Sequence, residues 1–154
     1  MLTRESSVAL VPLRGFLGVA FTYAGIQKVA NPAFLRASSP ISIQQSLDLA
    51  VRTSPVGGLL RPLLHLGVEV GIAMAITETL VGLSLLLGFH VRVGAVVGLA
   101  VSFSLFLTVS YHAAPWFTGA DIVYVFAWSA LILAPPTPWS LDEWRLRRRV
   151  SSTT

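Results

Sequence analysis

Four long apolar stretches dominate the sequence, and its nine prolines lie outside these stretches or at their edges. Proline disrupts helix interiors, so its positions mark helix ends independently of hydropathy. A helix that crosses a bilayer needs roughly 20 apolar residues. The pattern therefore predicts an all-α fold, a polytopic membrane four-helix bundle with spans at about 13–30, 62–87, 91–111 and 119–134.

A shorter pattern lies in the connection between the first two spans. Residues 43–52 place Ile43, Leu47, Ala50 and Val51 on one face, and polar side chains fill the remainder. The spacing is helical, but the segment is too short and too polar to cross a membrane. We therefore expect an amphipathic interfacial helix that lies at the membrane surface or folds against the bundle.

The C-terminal tail, residues 139–154, is short and basic. Ser140 followed by Glu143 is the pattern of a capping box, which predicts the start of a short helix. Trp139 and Trp144 suit the level of the membrane–water interface. With no internal repeat in the sequence, residues 1–154 are expected to form a single membrane domain.

Composition supports the membrane interpretation and excludes most soluble enzyme classes. Of the 154 residues, 54% are hydrophobic and only 12% are charged, whereas a soluble domain carries about 25% charged residues. So few charges could not cover the surface of a water-soluble globule. Membrane lipid is therefore the expected surroundings of the chain.

The distribution of positive charge predicts an orientation. The net charge is +4, and with four spans both chain ends share one side of the membrane. Seven arginines fall on that side and four cations on the other, so the termini are expected to be cytoplasmic in the inner (plasma) membrane. Beside apolar spans, the arginine-rich tail favours anionic lipid over nucleic acid as its partner.

The absence of cysteine removes disulfides, thiolate-ligated clusters and c-type haem attachment from the chemistry of this chain. Three histidines remain as ligands. His65 and Glu69 have i,i+4 spacing, but no complete metal-ligand motif surrounds them. We therefore predict neither a haem nor a metal site.

Two carboxyl groups lie well inside the second span, where each costs a few kcal/mol unless it is paired or protonated. Glu69 and Glu78 are nine residues apart, so they face opposite sides of a helix. Glu78 shares its face with Gly71, Ala75 and Gly82, and this favours a buried position in an interhelical seam. Functional and structural roles are both open for the two residues.

Antiparallel packing of the first two spans predicts how these carboxylates are paired. Lys28 ends a face that carries Gly18 and Gly25, which favours a packed position over an ammonium that snorkels to the interface. Matching depths along the two helices predicts a Lys28–Glu69 pair near the outer side. Arg14 is then expected to reach toward Glu78 from the inner side.

A candidate site follows from the residues expected at the outer side. The first two spans bring Lys28, His65 and Glu69 there, and the approach to the fourth span brings an aromatic and acidic cluster. A pocket with these side chains fits a quinone headgroup, which needs hydrogen-bond donors, protons and apolar walls. Capping of a helix N-terminus is the alternative role of Asp121. The predicted catalytic residues are Glu69, Asp121, His65 and His112, and the predicted quinone contacts are Lys28, Tyr111 and Trp116.

Three stretches together resemble a known membrane family. They are Gly-Phe-Leu-Gly at 15–18, followed by Tyr-Ala-Gly-Ile-Gln-Lys at 23–28 and Asn-Pro at 31–32, the run from Glu to Gly at 78–88, and Trp-Phe-Thr-Gly-Ala-Asp-Ile-Val at 116–123. Their order and spacing resemble the DoxX/DoxD-like membrane family, and within it the DoxD subunits of thiosulfate:quinone oxidoreductase. The resemblance covers residues 12–134.

The resemblance implies a four-helix membrane bundle and electron transfer from thiosulfate to quinone, with tetrathionate as the product. It also implies a partner subunit of the DoxA type. The alternative is a non-catalytic membrane anchor or organising subunit for a partner protein. A transporter is less favoured, because paired repeats and broken helices are absent from the sequence pattern. Two G-x-x-x-G patterns, at 67–71 and 94–98, indicate close packing and leave a homo-oligomer open.

Overall fold

The computed structural model describes residues 8–111, 113–135 and 137–151, and within these ranges the chain is helical with no strand. Six helices have eleven or more residues: α1 (Val11–Ala30), α2 (Ile43–Thr53), α3 (Gly67–Leu87), α4 (Val91–Leu105), α5 (Ala120–Leu133) and α6 (Leu141–Ser151). Shorter turns connect them: the α-helical turns Pro32–Leu35 and Gly57–Leu60, the 3₁₀ turns Arg61–Leu66 and Trp116–Thr118, and the π-helical turn Phe106–Ser110.

Helices α1, α3, α4 and α5 correspond to the four predicted spans. Two helices of the described chain are long and apolar enough to cross a membrane: Gly57–Leu87, in which the turns before α3 continue into it, and Val91–Ser110, which is α4 with its π-helical turn. Helix α5 is apolar but shorter. Membrane crossing by α1 and α5 stays a prediction.

Helix α1 packs antiparallel along α3, and small residues set the distance between them. A Cβ atom on Gly25 would lie 2.5 Å from the carbonyl oxygen of Ala75, and one on Gly82 would overlap the backbone of Thr22. Neither contact leaves room for a side chain. The predicted role of small residues in this seam is therefore confirmed at Gly25 and Gly82.

All four long helices contribute to one core. Its buried side chains are Leu17 and Phe21 from α1, Val81 and Leu85 from α3, Ala95 from α4, and Trp128 and Leu131 from α5. The Phe21 and Trp128 rings meet edge to face, with centroids 4.8 Å apart. The outer faces carry exposed apolar side chains such as Phe16, Tyr23, Leu80, Val93 and Phe126. Such a surface suits lipid better than water.

The amphipathic helix predicted between the first two spans is present as α2. Ile43, Leu47 and Ala50 are buried, as the spacing predicts, whereas Val51 of the predicted face is half-buried. Ser42 caps the helix by accepting a hydrogen bond from the Gln45 amide at 3.2 Å. The Gln44 side chain donates to the Leu64 carbonyl oxygen at 3.0 Å, so α2 is tied to the start of the long apolar helix. Its level in the membrane stays a prediction.

Arg14 is buried near the start of α1, at the end of the molecule opposite to α2. It does not contact Glu78, so the predicted Arg14–Glu78 pair is wrong. The guanidinium donates to the Thr137 hydroxyl at 2.5 Å and to the carbonyl oxygens of Pro138 and Trp139 at 3.3 and 3.1 Å. Arg14 lies beside Gly88. Ten residues separate Gly88 from Glu78, which is roughly 15 Å along the helix.

The segment that Arg14 holds also fixes the turn between α3 and α4. The two carboxylate oxygens of Asp142 accept hydrogen bonds from the His90 and Val91 amides, each at 2.9 Å. The Ser140 half of the predicted capping box is confirmed, since the Glu143 amide donates to the Ser140 hydroxyl oxygen at 3.1 Å. The Glu143 carboxylate accepts a hydrogen bond from the Trp139 amide, one residue before Ser140, at 3.2 Å. We call this arrangement, built from Arg14, Thr137–Trp139 and Asp142, the terminal clamp.

Candidate functional site

Lys28 and Glu78 form an ion pair between α1 and α3. The ammonium nitrogen lies 2.6 Å from a Glu78 carboxylate oxygen, and the two side chains are 22% and 3% exposed. Lys28 is the only lysine in the sequence. The predicted Lys28–Glu69 pair is therefore wrong, whereas the predicted packed position of Lys28 and the buried position of Glu78 are confirmed.

The direction of helical side chains explains this pairing. Every side chain of an α-helix leans toward the helix N-terminus. Because α1 and α3 are antiparallel and Gly25 rests on Ala75, Lys28 leans back toward the level of Glu78, and Glu78 leans toward the level of Lys28. Glu69 also leans toward the N-terminus of α3, but from its position this direction leads away from Lys28.

The ion pair lines a small cavity of about 210 Å³ between the helices, which we call the charged cavity. Asp121 from the first turn of α5 lines the same space. Other polar lining groups are Ser102 on α4 and Tyr124 on α5. One ammonium and two carboxyl groups thus surround a common volume inside an apolar fold.

Two hydrogen bonds join α5 to α4 and its π-helical turn beside the charged cavity. The π-helical turn at the end of α4 finishes at Ser110, whose hydroxyl donates a short hydrogen bond to Asp121. The Trp128 indole N–H donates to the Ser102 hydroxyl oxygen at 3.0 Å, and both residues are buried. Turns of this π type occur frequently at functional sites.

A second cavity of about 370 Å³ lies beside the first, between α2, α3 and α4, and we call it the apolar cavity. Its walls are mainly aliphatic and aromatic, and Lys28 and Leu105 line both cavities. Its hydroxyl groups donate to carbonyl oxygens of their own helices: Ser46 to Ser42, Ser104 to Val101 and Thr108 to Ser104. Lys28 is therefore the one charged residue among the described residues that line the apolar cavity.

Of the predicted site residues that the structure describes, Lys28 and Asp121 line one cavity together. His65 and Glu69 are exposed on the other side of α3 and its leading turn, and they line neither cavity. Tyr111 and Trp116 are largely exposed, and each contacts the ring of Phe106. His112 lies outside the described residues. The roles of these residues stay predictions.

Three polar residues that line the charged cavity, and Ser110, which donates to Asp121, were not among the predicted site residues. Glu78 was assigned to a packing seam, and Ser102, Ser110 and Tyr124 carried no pattern that distinguished them from other polar residues in helices. The lean of side chains in an antiparallel pair would have indicated Glu78. Among the described residues, no group of three or more His, Asp or Glu side chains is placed to hold a metal ion.

The fold and the site together define an all-helical membrane protein with a charged cavity among its apolar helices. The chain belongs to the DoxD family, because the family model described as TQO small subunit DoxD matches residues 10–152. The resemblance found in the sequence is thereby confirmed. No curated protein and no solved structure matches the chain.

Proposed function

We propose that this chain is the membrane subunit of a quinone-linked oxidoreductase, in which a quinone ring occupies the apolar cavity beside Lys28. The observation that carries the proposal is the position of Lys28 between two cavities. Its side chain lines both the apolar cavity of about 370 Å³ and the charged cavity, which contains two carboxyl groups. Reduction of a quinone requires an apolar pocket that holds the ring and nearby groups that deliver protons to its oxygens.

The apolar cavity suits a quinone in size and in polarity. Its volume falls within the range of about 300–1,000 Å³ that is usual for ligand pockets. Quinone carbonyl oxygens only accept hydrogen bonds, and an ammonium has three N–H groups to donate. Among the described residues, the hydrogen bond of Lys28 goes to Glu78. Further N–H groups of Lys28 are therefore available to a carbonyl oxygen in the apolar cavity.

The charged cavity supplies protons to this site. A bound quinone accepts two electrons and two protons to become the quinol. Lys28 can balance only one of the two carboxyl groups, Glu78 and Asp121, and an unbalanced carboxylate is costly at membrane depth. The two carboxyl groups are therefore the proposed carriers of these protons, and the Ser110 hydroxyl orients Asp121.

Family membership supports thiosulfate as the electron donor. Two thiosulfate ions that join through a new S–S bond give one tetrathionate ion and release two electrons, which balances the reduction of one quinone. A second subunit, of the DoxA type, takes part in the complex. The description of the family as a small subunit supports this composition.

The chain crosses the inner membrane four times, with α1, α3, α4 and α5 as spans, α2 at the interface and both termini in the cytoplasm. Exposed apolar side chains on the outer faces of all four helices support this arrangement. Trp139 and Trp144 are exposed at the end that carries the C-terminal arginines, as expected for an interface.

The alternative function is a non-catalytic anchor that organises a partner protein. One observation favours it: α6 presents Trp144 and Arg148 together, with the Arg148 guanidinium carbon 3.8 Å from the ring centroid. An exposed basic and aromatic helix is a suitable contact for another subunit. An anchor would not need Lys28 between two cavities.

The test is thiosulfate-dependent reduction of a short-chain quinone by the purified complex in liposomes. We expect Lys28→Met to lower the rate at least about 100-fold, as for the loss of a donor that stabilises negative charge developing on the quinone oxygen. Arg36→Met is the matched control, because Arg36 is an exposed cation outside both cavities, and it should keep the wild-type rate.

Two results would contradict the proposal. If Lys28→Met keeps the wild-type rate in a folded complex, Lys28 is not the quinone contact. If the wild-type complex binds no quinone and shows no activity, while a partner protein still depends on this chain for membrane attachment, the anchor function replaces the oxidoreductase function.

A further inference from the structure

A third cavity, of about 360 Å³, lies at the end of the molecule that holds the terminal clamp. It opens between the start of α4 and the end of α5. Buried Leu131 and Ala134 form its inner wall, and exposed Arg92 and Arg145 line its opening. We call it the arginine cleft. It is separate from the charged and apolar cavities, which share none of these residues.

Both arginines are held in place and still have donors to offer. The Arg145 guanidinium carbon lies 4.6 Å from the ring centroid of Phe89, and Arg92 donates to the Ala134 carbonyl oxygen at 3.4 Å. A guanidinium has five N–H groups, so one such contact leaves most of them for a ligand. The cleft is thus prepared for an anion with several acceptor oxygens.

The charge balance of the arginine cleft also favours an anion. Asp142 lines the cleft as well, but both of its carboxylate oxygens accept hydrogen bonds from the His90 and Val91 amides. Two arginines therefore face one carboxylate that is already engaged. Arginine recognises carboxylates and phosphates through paired N–H groups, and a phosphate has enough acceptor oxygens to bind two arginines at once.

The depth of the cleft indicates where that phosphate comes from. Trp139 is 76% exposed and Trp144 is 50% exposed, both at the same end of the molecule as the cleft. Exposed tryptophans of membrane proteins concentrate at the level of the lipid headgroups. Below this level, exposed Val93 and Leu133 offer apolar surface to acyl chains.

We propose that the arginine cleft binds an anionic phospholipid, with the phosphodiester between Arg92 and Arg145 and the acyl chains against the outer surface of α4 and α5. Basic pockets between membrane helices are suited to such headgroups. The site lies next to Asp142, so a bound lipid also covers the terminal clamp from the membrane side.

The experiment measures lipid selectivity of the full chain. The protein is purified in mild detergent, mixed with equal amounts of phosphatidylglycerol and phosphatidylcholine, and analysed by native mass spectrometry. We expect the wild-type protein to retain phosphatidylglycerol with about tenfold preference, the scale expected when two arginines each favour an anionic headgroup. The Arg92→Gln/Arg145→Gln double variant should bind both lipids about equally.

The controls separate the cleft from general surface charge. Arg36→Gln/Arg61→Gln removes two exposed arginines from the opposite end and should keep the tenfold preference. Arg145→Glu alone should also lower the preference, and because Arg145 is exposed on α6, this variant does not put folding at risk. Thermal unfolding in detergent confirms that each variant is folded.

Three results would overturn the proposal. The first is an unchanged preference in the folded Arg92→Gln/Arg145→Gln protein. The second is an equal loss of preference in Arg36→Gln/Arg61→Gln, which would indicate diffuse charge attraction. The third is displacement of the lipid by millimolar glycerol 3-phosphate, because a free phosphate ester would then be the better ligand of the cleft.

Discussion

Arg14 and Lys28 are two cations at opposite ends of helix α1, and their surroundings differ in kind. Arg14 is 6% exposed and donates to one hydroxyl and two carbonyl oxygens. These partners are neutral, and they belong to the segment that closes the terminal clamp. Lys28 is more accessible, is paired with a carboxylate, and lines two cavities.

The difference indicates separate roles for the two ends of the protein. The partners of Arg14 are three consecutive residues, Thr137 to Trp139, so its hydrogen bonds hold this segment against α1. The Lys28 side chain lines cavities on two sides, and one ammonium is shared among two nearby carboxyl groups, Glu78 and Asp121. A charge that is retained beside a cavity in an apolar fold is a functional candidate, whereas a charge that is fully enclosed by neutral acceptors is structural.

Substitution of Arg14 should have the largest effect on stability. Arg14→Met leaves a hydroxyl and two carbonyl oxygens without their donor, so we expect the free energy of unfolding in detergent to fall by about 3 kcal/mol or more. Arg61→Met, which removes an exposed arginine, should cost less than about 0.5 kcal/mol. Equal stability of the two variants would show that the terminal clamp does not stabilise the fold.

Breaking the Lys28–Glu78 pair should lower the free energy of unfolding by a smaller amount, and a second substitution at Glu78 should restore part of it. Lys28→Met leaves Glu78 buried without its cation, and we expect a loss of about 2 kcal/mol, because the carboxyl group can take up a proton instead. Adding Glu78→Gln should restore at least half of this stability without restoring quinone reduction. Recovery of activity in the double variant would contradict a functional role for the pair.

Much of the fold was predictable from the sequence. The apolar stretches and the prolines located α1, α3, α4 and α5 to within a few residues, except that the fifteen-residue α4 continues as a π-helical turn. Periodicity also located α2. These predictions succeeded because helix position depends on local properties of the chain. The prediction that a helix starts at Ser140 succeeded for the same reason.

The site was less predictable, because it depends on the register between helices. Hydropathy places Lys28 and Glu69 at similar depths, but close packing of Gly25 on Ala75 sets the register that joins Lys28 to Glu78. The prediction for Arg14 failed for a related reason. Its partners follow α5, more than 120 residues away in the sequence, and no local pattern links them to Arg14.

Ser110 tests whether the orientation of Asp121 matters to the charged cavity. Ser110→Ala removes the hydroxyl that donates to Asp121, and we expect quinone reduction to fall about three- to tenfold, the equivalent of one ordinary hydrogen bond. Ser129→Ala is the matched control, because its hydroxyl donates to Val125 within α5. Comparable rates for both variants and the wild type would separate Asp121 from the reaction.

Substitution of Glu69 should have the smallest effect on quinone reduction. It distinguishes the site predicted from the sequence from the site formed by the two cavities. The sequence-based site predicts a large loss of activity in Glu69→Gln. The cavity-based site predicts a rate within about twofold of wild type and a stability change below about 0.5 kcal/mol, because Glu69 is exposed and lines neither cavity. A large loss of quinone reduction in this variant would return the site to the exposed side of α3.

The most direct test of the Lys28 site uses the fact that the chain has a single lysine. Protein labelled with ¹⁵N at the lysine ammonium gives one side-chain signal from this chain by solid-state NMR in lipid. We predict that a saturating short-chain quinone shifts this signal, while an alkylbenzene of the same chain length, which lacks carbonyl oxygens, leaves it nearly unchanged. Identical spectra with the two compounds, at quinone concentrations that support reduction, would contradict a direct contact between Lys28 and the quinone.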